Sequence, residues 1–277
     1  MLYICATPIG NLNDISIRAL EILSLSDIIL CEDTRQSKHL LLAHRINYKQ
    51  LIALHQHNEN QITERVLTYL SQGMTVTQIS DAGTPGISDP GARLCRAVLD
   101  AGYKVSPIPG ACAYISLLSV SGLDRPSLFY GFLPSTKNAR IKELEAWIDS
   151  SYAVCFYESP HRILDCLADI LQVFGAARGI IMGRELTKQF ETIKRGTVSE
   201  LLEFVTNDTN QQRGEFALII YPKPLAKVGE ESLTGEQIKV LKLLMPELPP
   251  KKAVLLTHKL TGANKDLLYS YAIGLAK

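Results

Sequence analysis

The residues best suited to chemistry lie in one loop, which runs from Ile79 to Gly91. Its three glycines let backbone groups approach a ligand closely, and its two prolines hold the backbone in shape. The carboxylates of Asp81 and Asp89, together with three hydroxyl side chains, can accept hydrogen bonds. The loop therefore predicts a site for a polar, partly cationic ligand, and the alternative is an ordinary surface turn.

The flanking segments place this loop at the edge of a predicted sheet. Met74–Ile79 has the composition of a strand, and Ala92–Ala101 that of a helix closed by Gly102. A loop that follows a strand of an open α/β sheet lies where such sheets bind ligands. A second loop of this kind, Pro107–Cys112, precedes the predicted helix Ala113–Val120. We expect the two loops to form two walls of one pocket, although each could be a plain connector.

Strand-like and helix-like segments alternate over residues 1–120, which is typical of a mostly parallel α/β sheet. Asp14 is predicted to cap the first helix, whose apolar face would carry Ile17, Leu20 and Leu23. The predicted strands are Leu2–Ala6, Asp27–Cys31, Leu51–Leu54, Met74–Ile79 and Tyr103–Pro107. This pattern predicts an N-terminal α/β domain over residues 1–120.

A boundary in composition follows at Ser121–Pro126. Beyond it, segments of strand and helix character continue to Tyr221, which predicts a second α/β domain over residues 121–224. Pro222–Lys227 is predicted to be a linker. The expected class is therefore α/β, with two α/β domains and an active-site cleft between them.

The remaining residues, 225–277, predict a small helical tail domain. A capping box at Thr234–Gln237, the Pro249-Pro250 pair and Gly262 indicate three short helices. From Lys251 to the end, five lysines stand against one aspartate. This lysine excess has two alternative explanations, a solvated helical face and a surface that contacts phosphates.

Composition narrows the class of protein. The chain has 277 residues and a net charge of +1, so no global field indicates a nucleic-acid partner, and any basic surface must be local. The six cysteines form no Cys-x-x-Cys pair and lie mostly in apolar runs, as expected of buried thiols in a reducing compartment. The N-terminus lacks the pattern of a signal peptide, and no apolar stretch reaches 18 residues. We expect a soluble, cytoplasmic protein without a membrane partner.

Several common catalytic motifs are absent from the sequence. There is no Gly-x-x-x-x-Gly-Lys-Ser/Thr, no Gly-x-Gly-x-x-Gly after the first strand, no Gly-x-Ser-x-Gly and no His-Glu-x-x-His. His55 and His57 would share one face of a strand, but no third ligand stands at a matching spacing. We therefore expect a structural or surface role for this pair and no metal site.

Eight segments together resemble a known family. They are Leu2–Leu12, Glu32–Arg35, Ser80–Pro85, Ser88–Gly91, Pro109–Ala111, Tyr157–Arg162, Arg184–Lys188 and Gly214–Phe216. The segments resemble the ribosomal RNA small subunit methyltransferase I family of the tetrapyrrole-methylase superfamily, from residue 2 to about residue 221. Two departures are Gly86, where a larger apolar residue is expected, and Cys112, where a serine is expected.

The resemblance implies an S-adenosylmethionine-dependent enzyme that methylates the 2′-oxygen of a cytidine ribose in the decoding region of 16S ribosomal RNA. It also implies two α/β domains, a homodimer, and a cofactor folded in the cleft between the domains. The cofactor-binding residues it implies are Ile9, Asp81, Ala82, Gly83, Thr84, Ala111, Cys112, Ala113, Met182, Gly183 and Phe216. A cationic sulfonium and ammonium would suit the two aspartates of the loop.

Two further groups of residues are predicted for the reaction. The candidates for a general base are Glu32, Glu158 and Glu185, although orienting the reactants could make a base unnecessary. The candidates for RNA contact are Arg35, Lys38, His161, Arg162, Arg184, Lys188, Lys251 and Lys252. Two alternatives stay open: a superfamily methylase acting on a porphyrin-like small molecule, and a non-catalytic protein that binds RNA or a nucleotide.

Overall fold

The structure is a computed structural model that describes residues 1–223 and 233–275. The chain forms two compact units, and the division between them falls between Lys223 and Pro224. The larger unit contains two five-stranded sheets, and the smaller one contains three helices.

The first sheet is entirely parallel, with the strand order β3-β2-β4-β1-β5. Its strands are β1 (Leu2–Cys5), β2 (Ile28–Cys31), β3 (Leu51–Ala53), β4 (Val76–Gln78) and β5 (Val105–Ile108). The helices in this part of the chain are α1 (Ile17–Leu25), α2 (Thr34–Ala43), α3 (Glu59–Ser71), α4 (Ala92–Asp100) and α5 (Ala113–Val120). Because all strands run the same way, the loops after β1, β2, β4 and β5 meet at one edge of the sheet.

Both faces of the first sheet are buried, as expected for parallel strands. Along β2, Ile28 and Leu30 belong to the apolar cluster that α3 and α4 cover. The alternate residues Ile29 and Cys31 belong to the cluster that includes Leu23 of α1. This alternation follows from the period of two residues in a strand, and it explains the continuous apolar runs of the sequence.

The second sheet is mixed, with the order β6-β7-β10-β8-β9. Its strands are β6 (Ser127–Phe132), β7 (Ala153–Glu158), β8 (Gly179–Arg184), β9 (Thr192–Thr197) and β10 (Phe216–Ile220), and only the β6–β7 pair is parallel. Its helices are α6 (Lys137–Glu145), α7 (Ile163–Phe174) and α8 (Val198–Asn207). Phe156 of β7 belongs to the cluster shared with α7 and α8.

Helix α5 joins the two sheets into one unit. It follows the last strand of the first sheet, yet its Leu117 packs in the cluster of Cys155 and Ile219 of the second sheet. Ile9, from the loop after β1, belongs to the same cluster. The loops at the edge of the first sheet are therefore held against the second sheet.

The smaller unit consists of α9 (Gly235–Leu244), α10 (Pro250–Thr261) and α11 (Lys265–Leu275) around its own apolar core. The predicted capping box is present, since Thr234 accepts from the Gln237 amide and the Gln237 side chain accepts from Thr234. Gly262 ends α10 in the left-handed conformation, with φ of +71°. The predicted linker Pro222–Lys227 lies mostly outside the described residues, as does Lys277 of the predicted lysine excess.

The predicted α/β class, with two α/β sheets and a helical C-terminal part, is confirmed. The boundaries at residues 120 and 224 stay predictions. The predicted cap of the first helix is wrong, because the hydroxyl of Ser16 accepts from the Ala19 amide while Asp14 lies in a short 3₁₀ turn. Ile17 is 78% exposed, so the buried face of α1 is carried by Ala19 and Leu23.

Two expectations from composition can also be compared with the structure. All six cysteines are free thiols, and Cys5, Cys31, Cys155 and Cys166 are buried. The His55–His57 pair lies in the turn after β3 and does not share a strand face. Within residues 1–223 and 233–275, none of the helices combines the length and apolar character needed to cross a membrane.

Candidate functional site

A cleft of about 390 Å³ lies where the loops of the first sheet meet the second sheet. Its volume falls in the range of small-molecule sites, roughly 300–1,000 Å³. The first sheet lines it with Ile9, Ala82, Gly83, Thr84, Ile87, Ser88, Asp89, Cys112 and Ala113. The second sheet lines it with Phe132, Tyr157, Glu158, Ser159, Pro160, Gly183, Leu186, Glu215, Phe216 and Ala217.

The loop after β4 is tied to its neighbours by backbone hydrogen bonds. Thr7 and Gly83 exchange two of them, at 2.8 Å and 3.1 Å, in an isolated antiparallel bridge. The Thr7 hydroxyl donates to the carbonyl of Ser80 at 3.0 Å, and the Thr84 hydroxyl donates to the carbonyl of Ala111 at 3.0 Å. The loops after β1, β4 and β5 therefore form one connected edge.

The far end of the same loop is held by a buried carboxylate. Oε1 of Glu59, on α3, accepts from the amides of Gly91, Arg93 and Leu94 at 3.1 Å, 3.2 Å and 3.4 Å. These amides belong to the start of α4, so the carboxylate caps that helix, and its negative charge interacts favourably with the positive end of the helix dipole. Gly91 has φ of +127°, and a Cβ there would collide with the side chain of Gln78.

Across the cleft, the turn after β8 is strained. Glu185 and Thr187 have φ of +51° and +66°, which is uncommon for residues other than glycine. The Glu185 carboxylate accepts from the Glu215 amide at 2.9 Å and from Lys188 Nζ at 2.9 Å. The hydroxyl of Thr187 accepts from the Asn11 amide at 3.1 Å, which attaches the turn to the loop after β1. Such strain persists only where surrounding contacts enforce it, and it is common at functional sites.

An aromatic group forms another part of this wall. The rings of Phe129 and Phe132 each meet Tyr157 edge-on, at centroid distances of 4.9 Å and 5.7 Å. The Tyr157 hydroxyl accepts from the Tyr114 amide at 3.1 Å, which links β7 to the start of α5. Burial raises the pKa of Tyr157 far above its usual range, so this phenol stays protonated.

Glu158, next to Tyr157, forms a bidentate ion pair with Arg162. The two carboxylate oxygens accept from Arg162 Nε at 2.8 Å and from Arg162 Nη2 at 2.9 Å. The Ser159 amide donates to the same carboxylate at 2.7 Å. The Glu158 side chain is fully buried. This hydrogen bonding raises the pKa of Arg162.

Three carboxyl groups near the first sheet carry raised pKa values. Burial, followed by the charge of Glu32, raises the pKa of Asp89 to about 6. Burial and then the charge of Asp81 raise the pKa of Glu32. Burial also raises the pKa of Asp81, although the Asp33 amide donates to it at 3.0 Å and opposes the shift. Concentrated negative charge at this edge favours a cationic ligand.

Most of the predicted cofactor residues lie together in the cleft. Ile9, Ala82, Gly83, Thr84, Cys112, Ala113, Gly183 and Phe216 line it. Three others do not: the Asp81 carboxylate accepts from the Asp33 amide, the Ala111 carbonyl accepts from the Thr84 hydroxyl, and Met182 is fully buried in the core of the second sheet.

The three predicted carboxylates occupy different places. Glu158 lines the cleft, but both its oxygens are engaged by Arg162. The Glu185 carboxylate accepts from Lys188 and from the Glu215 amide. Burial alone would raise the pKa of Glu185, but these hydrogen bonds outweigh burial, so the net effect is a lowered pKa. Glu32 is half-buried beside the acidic group of the first sheet, and it lies outside the lining of the cleft.

The predicted RNA-contacting residues also separate into groups. Arg35, Lys38, His161, Lys251 and Lys252 are exposed, although the Arg35 guanidinium is paired with Asp33 at 2.8 Å. Arg162 and Lys188 are partly exposed, but each is paired with a carboxylate. Arg184 is buried, and its guanidinium donates to the carbonyls of Arg213 at 2.6 Å and Phe190 at 3.0 Å. Because these hydrogen bonds use the Arg184 guanidinium to connect two backbone segments, the proposed RNA surface does not include Arg184.

Sequence reasoning did not select several residues that line the cleft. Tyr157, Ser159 and Glu215 all belong to the segments that carried the family resemblance, and this membership was a usable signal. Phe132 lies outside these segments, so it gave no such signal. Leu186 belongs to another of these segments, Arg184–Lys188, but its place in the cleft depends on the strained turn around it.

Comparison with known proteins agrees with the geometry. The sequence profile described as Tetrapyrrole (Corrin/Porphyrin) Methylases matches residues 1–202, and that of the RsmI C-terminal HTH domain matches residues 231–276. A protein of Neisseria meningitidis serogroup B named ribosomal RNA small subunit methyltransferase I is 43% identical, over 98% of this chain and 92% of its own length. Its namesake in Escherichia coli O157:H7 is 45% identical, over 98% and 94%.

The chain belongs to the ribosomal RNA small subunit methyltransferase I family. The match to the tetrapyrrole methylases covers most of the chain, and two solved structures share its fold. The X-ray structure of cobalt precorrin-4 methyltransferase aligns with a TM-score of 0.59 at 14% identity, over 79% of this chain and 93% of that one. Uroporphyrin-III-C-methyltransferase from Thermus thermophilus aligns with a TM-score of 0.54 at 15% identity, over the same shares. At this identity the two structures show the shared fold.

The cofactor of this methyltransferase family is S-adenosylmethionine, and the residues of the cleft fit it. A Cβ on Gly83 would lie 3.2 Å from Ile9 Cγ2 and 3.5 Å from the Ala111 carbonyl oxygen, so glycine lets the loop after β4 pack closely against two other residues of the cleft edge. Asp89 supplies a carboxylate within the cleft for a cationic group. Small apolar residues such as Ala113 and Ala217 supply surface for the apolar parts.

Proposed function

We propose that this protein transfers a methyl group from S-adenosylmethionine to the ribose 2′-oxygen of a cytidine in the decoding region of 16S ribosomal RNA. The observation that carries the proposal is the 43–45% identity, over nearly the full chain, to proteins named ribosomal RNA small subunit methyltransferase I. The cleft supports it, since it combines a close backbone approach at Gly83 with an acidic group at Asp89.

S-adenosylmethionine supplies a methyl group that its sulfonium activates for transfer. The chain must bring the ribose oxygen into line with that methyl and exclude water, which can supply much of the acceleration. In this proposal Ile9, Ala82–Thr84, Cys112, Ala113, Gly183 and Phe216 hold the cofactor. The predicted residues Asp81, Ala111 and Met182 support these from behind.

Glu158 is the predicted carboxylate that lines the cleft, and we propose that it positions groups there together with Arg162. Both oxygens of Glu158 already accept from the Arg162 guanidinium, so orientation is the main contribution of this pair in the proposal. Glu185 would maintain the turn that carries Leu186, and Glu32 would contribute to the negative potential beside Asp89.

The RNA would approach over exposed cationic residues. Arg35, Lys38 and His161 belong to loops or helix starts near the cleft edge, and Lys251 and Lys252 belong to the C-terminal helical unit. Phosphate contacts of this kind hold register and give salt-dependent affinity. We also propose that the protein acts as a homodimer, and that residues 1–120, 121–224 and 225–277 are its three domains, as the resemblance and composition suggest.

The direct test is methyl transfer to purified small subunits and to naked 16S RNA lacking the modification. Alkaline cleavage then locates the methyl group, because a 2′-O-methyl protects the adjacent phosphodiester whereas a base methyl does not. We expect protection next to one cytidine in the decoding region. Transfer without such protection would rule out the ribose as acceptor, and no transfer to either RNA would rule out the ribosomal substrate.

A further inference from the structure

Phe132 is an unusual surface residue. It ends strand β6, lines the cleft, and remains 55% exposed, whereas most other apolar side chains of the sheet are buried. Exposed apolar surface inside a cleft is often a ligand contact. None of the residues selected from sequence accounts for this aromatic ring.

The ring is held in place on one side. It meets the ring of Tyr157 at a centroid distance of 5.7 Å and an interplanar angle of 67°. Tyr157 is itself fixed, since its hydroxyl accepts from the Tyr114 amide at 3.1 Å. Phe132 is thus an oriented ring with more than half of its surface open, which a stacking partner requires.

A second apolar side chain approaches the same end of the cleft from the first sheet. A Cβ built on Gly131 would lie 3.3 Å from the Ser88 hydroxyl, so the end of β6 abuts the loop after β4. Ile87, the neighbour of Ser88, also lines the cleft and is 39% exposed. An aromatic and an aliphatic side chain on adjacent segments are the usual walls of a pocket for an extruded base.

We propose that Phe132 and Ile87 form a slot for the nucleobase of the target nucleotide, with Phe132 as the stacking platform. This inference rests on the proposed function, because it requires an RNA acceptor. It adds that the target must be unpaired or flipped out of its helix, since a stacked base could not enter the cleft.

The decisive variant is Phe132→Ala. Stacking of one base on an aromatic side chain predicts a roughly 5- to 150-fold rise in the RNA concentration at half-maximal rate. We expect S-adenosylmethionine affinity, measured by calorimetry, to stay unchanged. Phe132→Tyr should restore RNA binding, whereas Phe132→Leu, which keeps apolar bulk without a π face, should restore only part of it. Ile87→Ala should produce a smaller change in the same direction.

Phe190→Ala is the matched control, because Phe190 is 67% exposed but lies outside the residues that line the cleft. A direct readout uses RNA with fluorescent pyrrolocytidine at the position that the wild-type protein methylates. Binding to the wild-type protein or to Phe190→Ala should quench the fluorescence of this base, whereas binding to Phe132→Ala should leave its fluorescence unchanged.

The outcomes separate the two ideas. If the wild-type protein methylates RNA while Phe132→Ala shows unchanged RNA kinetics and quenching, the slot is wrong and the proposed function stands. If Phe132→Ala instead loses S-adenosylmethionine affinity, the ring faces the cofactor and the slot is again wrong. If the wild-type protein methylates no RNA, both ideas fail. Thermal melting verifies that each variant is folded.

Discussion

The first sheet reaches the cleft through backbone, whereas the second reaches it mainly through side chains. On the first side, Gly83 and Thr7 exchange main-chain hydrogen bonds, and Gly83 packs so closely on Ile9 and the Ala111 carbonyl that a Cβ would press on them. On the second side, the Glu158–Arg162 ion pair and the Tyr157 and Phe132 rings line or support the wall. A parallel sheet brings several loops to one edge, and glycine lets those loops approach closely. The mixed sheet instead uses strand ends to present specific groups.

This contrast predicts that the two walls fail differently when changed. A substitution in the backbone-mediated part of the first side, as at Gly83, should act on cofactor binding through shape, and one on the second side should act on acceptor binding or rate through chemistry. Variants on each side can break or sharpen this division, and those with the largest expected effect come first.

Gly83→Val should reduce S-adenosylmethionine affinity at least 100-fold. Valine would adopt φ of +84° with strain, and its Cβ would press on Ile9 at 3.2 Å. Gly86→Ala is the control, because Gly86 has φ of +81° but its added Cβ would meet no described atom within 4 Å. Calorimetry should therefore show a large loss for the first variant and a small one for the second. Equal losses would mean that backbone strain in the loop, and not the contact with Ile9, controls binding.

Asp89→Asn should weaken S-adenosylmethionine binding roughly tenfold at pH 7.5, since a charge-assisted contact is lost. In the wild type, affinity should rise with pH through about 6, where Asp89 becomes ionised. Calorimetry in buffers of different ionisation enthalpy should detect proton release on binding near pH 6, and the variant should show none. Proton release that persists in Asp89→Asn would assign the titration to another group.

The same carboxyl group has a consequence for stability. Its pKa in the folded protein, about 6, lies above the ordinary value of 3.8, so between these pH values the folded state binds more protons than the unfolded state. The contribution of Asp89 to stability is therefore present at low pH and is lost as pH rises from about 4 to about 6. Asp89→Asn should be more stable than the wild type at neutral pH, which denaturant titration can measure. A variant less stable than the wild type at pH 7.5 would contradict this.

Glu158→Gln and Arg162→Gln should lower the single-turnover rate by similar factors, on the order of tenfold, if the pair acts by orientation. Saturating RNA and cofactor isolate the chemical step. Glu185→Gln and Glu32→Gln complete the set of predicted carboxylates and should change the rate less. A loss of about 10²–10⁴-fold in Glu158→Gln alone would instead identify a general base on the second sheet.

Replacement of Lys251 and Lys252 by alanine should weaken RNA binding several-fold and lower the slope of log affinity against log salt by about 2. Cofactor affinity should not change. The same double replacement of Lys239 and Lys242, on α9, is the matched control within the helical unit. If both pairs lower the slope equally, the contact is a diffuse charge effect and not a surface on α10.

Part of this arrangement could be predicted from sequence because its causes are local. Apolar runs and helical periodicity indicate the strands and helices, and the density of glycine, proline and aspartate in residues 79–91 indicates a binding loop. The error at the first helix has a local cause as well. Both Asp14 and Ser16 can cap a helix, and the 3₁₀ turn that Asn11 stabilises decides in favour of Ser16.

Other features depend on contacts between distant residues, and sequence patterns do not reveal these. Glu59 meets the start of α4 from a position 32 residues earlier in the chain than Gly91. Arg184 looked like a phosphate ligand, but its burial depends on the carbonyls of Arg213 and Phe190. The left-handed residues Glu185 and Thr187 are not glycines, so nothing in their type indicates the turn.

The bonds that fix both ends of the loop after β4 also determine when its freedom is lost. A segment with three glycines among thirteen residues would ordinarily be ordered by its ligand, at a cost of about 1–2 kcal/mol for each residue fixed. Here the Thr7 bridge at one end and the Glu59 carboxylate at the other order it during folding. The entropy is therefore lost before the cofactor arrives, so the cleft binds as a preformed receptor and more of the contact free energy is expressed as affinity.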